Sequence, residues 1–298
     1  MTRLLGKYQN GNYTVSIFSD GTKIRENDLD ELIPAFAENC DCKITDRCDG
    51  GCPFCYEGCT PNGKHGDILN KKFLDTLHPY TELAINGNDL SHPDLTTFLG
   101  VLKEKKIIVN MTVNQIHFEK NQYYIRNLVD MGLIYGLGIS LKEPTQKFIE
   151  LIKQYPNAVI HTINGVTTVG DYYALANNGL KVLILGYKEL CRGHEYMNHH
   201  APAIKHIQTG LYNTLKTMID EGWFEVVSFD NLAIEQLDVK RLLGNDEWNE
   251  FYMGDDAQYT FYLDLVENKF SKNSLAPENE RYDLLDDIDE MFEVIRKR

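Results

Sequence analysis

Three cysteines fall within one short span, Cys48-Asp-Gly-Gly-Cys52-Pro-Phe-Cys55. Thiolates spaced so tightly can converge on one metal centre. Three thiolates around a 4Fe-4S cube leave one iron without a protein ligand, and an open iron is a place where a second molecule can bind and react. Two other chemistries use thiols in this way. Tetrahedral zinc needs a fourth nitrogen or sulfur donor, which Cys59 or His65 offers, and a disulfide cluster needs an oxidising compartment.

The chain that positions these thiols has 298 residues, 43% of them hydrophobic, enough for one large core or two small ones. No stretch approaches a membrane span, and Met1-Thr2-Arg3-Leu4-Leu5-Gly6 lacks the apolar run of a signal peptide. The expected setting is soluble, reducing and cytoplasmic, which argues against disulfides. The net charge of −14 is spread along the chain, with an acidic tail from Asp283 to Glu293, and no Lys/Arg run interleaved with aromatics appears. Nonspecific nucleic-acid binding is disfavoured, whereas recognition of a small nucleoside or a basic peptide is not.

Three regions are expected: an N-terminal hairpin extension over 1–37, a central region over 38–230, and a C-terminal hairpin with an acidic helix over 231–298. In the first, Tyr13-Thr14-Val15-Ser16-Ile17-Phe18 alternates in polarity and turns through Asp20-Gly21 toward Lys23-Ile24-Arg25. The centre alternates strands predicted at 40–45, 82–86, 107–113, 135–140, 158–163, 181–186 and 225–229 with helices predicted at 70–78, 93–105, 120–131, 145–154, 169–177 and 202–221. That alternation predicts an α/β fold with a parallel sheet and right-handed crossovers. Periodicity alone does not separate a doubly wound sheet from a barrel. At the C-terminal end, 258–266 reads as a strand, 267–269 as a turn, and 284–295 as an amphipathic helix that closes the barrel or recognises substrate.

The cysteine spacing, with Phe54 at the aromatic position, resembles the Cys-x-x-x-Cys-x-aromatic-Cys signature of the radical S-adenosylmethionine (SAM) superfamily. The flanks Ile44-Thr45-Asp46-Arg47 and Cys55-Tyr56-Glu57 look like the end of the first barrel strand and the cluster loop that follows it. The resemblance implies a partial (β/α)6 TIM-like barrel and a 4Fe-4S cluster on Cys48, Cys52 and Cys55. It implies that the open iron chelates SAM, and that one electron cleaves the sulfonium to a 5′-deoxyadenosyl radical, which abstracts hydrogen from substrate. It further implies a small-molecule or peptide substrate and an electron donor such as a flavodoxin or ferredoxin. A glycyl-radical-enzyme activase is the alternative enzyme reading, and a non-catalytic iron-sulfur or zinc binding module is the third.

Barrel sites lie at the C-terminal ends of strands. Asn86, Gly87 and Asn88 after the second central strand, Asn114 after the third, Ser140 ending the fourth and Asn164 after the fifth would ring a bound nucleoside, so with Phe54 these are the expected SAM contacts. Singly, Asn and Ser there also serve local turns. Asn86-Gly87-Asn88-Asp89 resembles the family's Gly-Gly-Glu-Pro stretch, with Asn88 in place of the glutamate and Asp89 as a carboxylate one position along. His92-Pro93 is expected to cap the next helix.

A rim loop is expected from Gly186 to Tyr196, with Lys188 and Arg192 as substrate contacts for a carboxylate or phosphate. Cys191 is a candidate hydrogen donor to a substrate radical, by likeness to radical SAM epimerases. His194-Glu195 is followed by a histidine at 199, one residue too long for the metalloprotease motif. Cys40 and Cys42 share one strand face and are expected in the core, while Cys59 is expected near the loop without ligating. The cysteine-rich C-terminal auxiliary-cluster extension of many peptide-modifying relatives has no counterpart, since only Cys191 lies downstream of Cys59.

Overall fold

The computed structural model describes residues 2–29, 31–86 and 89–297. Expected contacts Gly87 and Asn88 lie outside the described residues. The N-terminal segment forms the expected hairpin of β2 (Tyr13–Phe18) and β3 (Lys23–Glu26) and adds a third antiparallel strand before it, β1 (Leu4–Asn10). The added strand β1 pairs with β2 through Asn10↔Tyr13, across a turn in which Gly11 takes a left-handed φ of 56°.

The central strands form as expected, as β4 (Asn39–Lys43), β5 (Glu82–Asn86), β6 (Ile108–Asn114), β7 (Gly136–Ser140), β8 (Ala158–Ile163), β9 (Lys181–Leu185) and β10 (Val226–Phe229). All pair in parallel with their sequence neighbours. The C-terminal hairpin does more than dock on this sheet. Its first strand, β11 (Thr260–Asp264), pairs in parallel with β4 on the side opposite β5, and β12 (Lys269–Ser271) and β13 (Tyr282–Asp283) continue the sheet in antiparallel fashion. The strand before the cysteine loop is therefore central, not an edge.

Crossover helices cover one face: α1 (Leu95–Glu104), α2 (Gln115–Lys120), α3 (Gln122–Asp130), α4 (Gln146–Ile152), α5 (Val169–Leu175) and α6 (Arg192–Asp220). α7 (Asn231–Leu237), α8 (Asn245–Phe251) and α9 (Ile288–Arg296) follow β10 and β13. Strand alternation decides the two faces. Along β6, Val109, Met111 and Val113 are buried under helices, while Asn110, Thr112 and Asn114 are half-buried on the other side. Under the helices Phe98, Phe118, Phe148 and Ile160 are fully buried, each stabilising the fold by roughly 1.5–3 kcal/mol. Cys40 and Cys42 face this core.

The opposite face is the inside of a curl. The loops after β4 and β9 meet although five strands apart, as Lys188 Nζ lies 4.2 Å from the Tyr56 ring centroid. Asn231, at the start of α7, donates to Asp256 Oδ1 ahead of β11. The sheet is thus an open barrel whose ends are bridged by loops, enclosing a lumen.

Two helices depart from expectation. Over 70–78 the chain makes only a short 3-10 turn, Lys72–Asp75. Local side-chain bonds replace the helix ladder: Asp67 Oδ1 accepts from the backbone N–H of Leu69 and Asn70, and Thr76 Oγ1 donates to Phe73 O. By contrast α6 begins at Arg192 and runs through Pro202, a residue expected to start it. The rim segment from Arg192 onward, expected as a loop, is therefore helical.

Candidate cluster site

The loop bearing Cys48, Cys52 and Cys55 leaves the C-terminal end of β4 and is built by its own backbone. Asp46 N–H donates to Lys64 O, Thr60 N–H to Asp46 O, and Cys48 N–H to Thr60 O, at 2.8–3.1 Å, so its outgoing and returning stems run side by side. Gly63 is required there, because a Cβ would sit 2.1 Å from Asp46 O. The three thiols are partly exposed, and the Gly50 N–H donates to Cys48 Sγ at 3.3 Å.

Burial pushes the Cys48 and Cys52 thiols above the ordinary value. Cys55 moves the other way, to about 6, first because Cys59 donates a hydrogen bond to it and despite its burial. Cys59 itself is buried and holds its proton more tightly for the same reason. Cys59 accordingly touches the loop as a donor to Cys55. Among the described residues no three His, Cys, Asp or Glu side chains converge so as to hold a single metal ion. His65 Nδ1 lies 2.8 Å from Thr45 Oγ1.

The donor set suits an iron-sulfur cluster. It consists of three thiols on one loop, the Cys55 proton loosened by the hydrogen bond from Cys59, with a backbone N–H already aimed at a sulfur. The strand ends beside it carry orphaned acceptors. Asn86 Oδ1 and Asn164 Oδ1 are buried without a hydrogen-bond partner, although Asn164 Nδ2 donates to Gln236 Oε1 at 3.0 Å. A buried unpaired carbonyl is costly, and Asn39 Oδ1 at the opposite end of β4 is left unpaired in the same way. The other expected contacts are placed differently. Asn114 caps α2, its Oδ1 accepting from His117 N–H and its Nδ2 2.9 Å from His117 Nδ1, and that amide is 3.1 Å from where a Gly50 Cβ would lie. Ser140 ends β7 in register with Asn114 and His161.

The first turn of α6 reaches the same loop. Arg192 Nε donates to Cys52 O at 3.1 Å and Nη1 to Cys59 O at 2.9 Å, so its guanidinium clamps the loop rather than standing free for a substrate anion. Gly193 packs against Lys188 O and Phe54 O, and Phe54 meets Tyr196 edge-on with centroids 6.0 Å apart. Cys191 is exposed, with φ 45° and ψ −126°, and its sulfur lies 3.4 Å from where a Gly58 Cβ would be. A non-glycine residue in that region is strained. Lys188 Nζ donates to Ser274 Oγ at 3.1 Å over the Tyr56 ring. His92 does help the next helix start: its Nδ1 accepts from Asp94 N–H, the cap residue of α1.

Three lumen residues were not expected from the sequence. Asp41 stands exposed to solvent on the face opposite buried Cys40 and Cys42, where nearby protein raises its carboxyl against the pull of Lys188. His161 lies against Gly138, where a Cβ would be 2.4 Å from its ring, and burial lowers its imidazole to about 4. Lys43 sits among three carboxylates. The period-two pattern of β4 and β8 places all three on the inner face, a signal that attention to the cysteines and strand ends passed over.

Fold and loop together define an α/β protein with a thiol-bearing site at the C-terminal ends of a mostly parallel sheet. Among solved structures it is similar to the crystal structure of Streptococcus suis SuiB, with TM-score 0.50 and 15% sequence identity over 80% of this chain. The match spans 61% of the SuiB chain, so the likeness is one of fold over part of that protein. No family model and no curated protein matches the sequence. Among the described residues no helix is long and apolar enough to cross a membrane.

Proposed function

We propose that this protein is a radical SAM enzyme. The observation that carries the reading is the loop of Cys48, Cys52 and Cys55 leaving the C-terminal end of a central parallel strand, beside orphaned acceptors at two further strand ends. The fold likeness to SuiB is consistent with the α/β scaffold that this reading requires. When bound to the three thiols, a 4Fe-4S cluster supplies the electron that cleaves SAM to methionine and a 5′-deoxyadenosyl radical able to take a hydrogen atom from substrate. This chain's residues hold and orient. Cys48, Cys52 and Cys55 are the ligands, and Arg192 fixes the loop through two carbonyls. Asn86 and Asn164 offer acceptors to SAM, and Phe54, Gly87, Asn88, Asn114 and Ser140 are the further contacts that the family resemblance implies. Lys188 and Asp41 place charge in the lumen for a small-molecule or peptide substrate, and Cys191 stands at the loop as a thiol hydrogen donor.

The test is anaerobic reconstitution with iron and sulfide, reduction by dithionite in the presence of SAM, and assay for 5′-deoxyadenosine. The expected result is product that disappears in Cys52→Ala. A wild-type protein that assembles no cluster under these conditions sinks the proposal.

A further inference from the structure

Lys43 ends β4 on the lumen face, with only 9% of its side chain exposed. Its Nζ lies 2.7 Å from Asp46 Oδ1, 3.0 Å from Glu57 Oε2 and 3.2 Å from Asp264 Oδ2. Two of these carboxylates flank the cysteines, Asp46 two residues before Cys48 and Glu57 two residues after Cys55. One ammonium thus joins both stems of the thiol loop and ties them to β11, where Asp264 is the cross-strand neighbour of Lys43. Tyr262 donates to Glu57 at 3.4 Å, and Arg281 Nη1 is 3.9 Å from Asp264.

Resting on the radical SAM reading above, we infer that Lys43 is a positioning residue which also sets the charge felt by the cluster. Removing one partner from a buried ionic group leaves uncompensated charge that water does not reach. Without the ammonium, three carboxylates would face one another beside the thiols. Reduction potentials of iron-sulfur centres follow net charge and surroundings, and added negative charge opposes uptake of an electron. A purely mechanical brace would hold the loop without moving the potential in a sign that follows charge.

The experiment compares wild type, Lys43→Met, Glu57→Gln and the double variant after anaerobic reconstitution, measuring iron content and the cluster's reduction potential by EPR-monitored titration. Lys43→Met should shift the potential negative, Glu57→Gln positive, and the double variant should return toward wild type. Equal potentials in every variant that holds a cluster, or shifts of one sign in both single variants, overturn the inference while leaving the radical SAM reading intact. Should Lys43→Met hold no cluster, Glu57→Gln decides alone, since it keeps the ammonium, and an unchanged potential there is a refutation. No cluster in the wild type overturns both readings. In metal-free protein, Lys43→Met should also speed alkylation of Cys48, Cys52 and Cys55, and equal rates would remove the positioning role.

Discussion

Cys59 lies against Cys55, one of the three proposed ligands. The thiol is buried and donates to Cys55, so it keeps its own proton while Cys55 gives one up. Cys59→Ala should therefore leave iron content nearly unchanged after reconstitution, whereas Cys55→Ala should lose the cluster; iron and sulfide analysis of the two decides it. His161 gives a second residue-scale expectation. Its ring is held neutral by burial, with a folded value of about 4 against roughly 6.5 when unfolded. Between those values the unfolded chain binds more protons, so stability is unaffected above about pH 6.5 and falls as pH drops toward about 4. In metal-free protein, denaturant unfolding of His161→Gln should show a shallower loss of stability across that window, and an unchanged slope would remove His161 from the titrating set.

Among the elements, α6 matters most to the site, and it was the least legible. Its strands were readable because β-branched and aliphatic runs alternate on a two-residue period, as in Val109, Met111 and Val113 of β6. The cysteine spacing likewise announced the loop. The start of α6 was hidden by Pro202, which reads as a first-turn residue although ten helical residues precede it. What holds those residues is tertiary: the two bonds from Arg192 to the loop, and the bond from Tyr187 to Gly193 O at 2.8 Å. No local pattern reports such contacts. The helix missing at 70–78 is the converse, an apolar period overridden by side chains of Asp67 and Thr76 that bind the backbone. The contact of α6 with the loop is testable at Gly193, where a Cβ would lie 2.3 Å from Lys188 O, a backbone atom with little room to move. Gly193→Ala should cost about 1–3 kcal/mol, as overpacking does, and should loosen the loop. Reconstituted protein should hold less iron, and thermal unfolding should report the stability loss.

Over the whole molecule, chemistry and stability are set at opposite ends of the parallel strands. The thiol loop, Asn86 and Asn164 occupy the C-terminal ends, while the N-terminal sheet is fastened across the other ends by a buried ionic group. Glu38, just before β4, is fully buried and accepts from Arg25 Nε at 2.7 Å, Arg25 Nη2 at 2.9 Å and Tyr13 Oη at 2.6 Å. Lys23 Nζ adds contacts of 3.2 Å to Glu38 and 2.5 Å to Glu82 at the start of β5. Burial alone would raise the Glu38 carboxyl, but Arg25 and Lys23 outweigh it and hold it below the usual range. A carboxylate depressed in this way stabilises the fold above its unfolded value, and that stability is lost as pH falls through the folded value. Breaking a buried pair costs roughly 3–5 kcal/mol; because Lys23 stays, Arg25→Met should fall near ~3 kcal/mol in denaturant unfolding. With Arg25 gone the folded Glu38 value rises, so acid destabilisation should begin at higher pH. Iron content and the EPR spectrum of the reconstituted variant should match wild type, because none of these residues touches the loop. A changed spectrum would mean that the two ends of the barrel are mechanically coupled and that the N-terminal sheet belongs to the site.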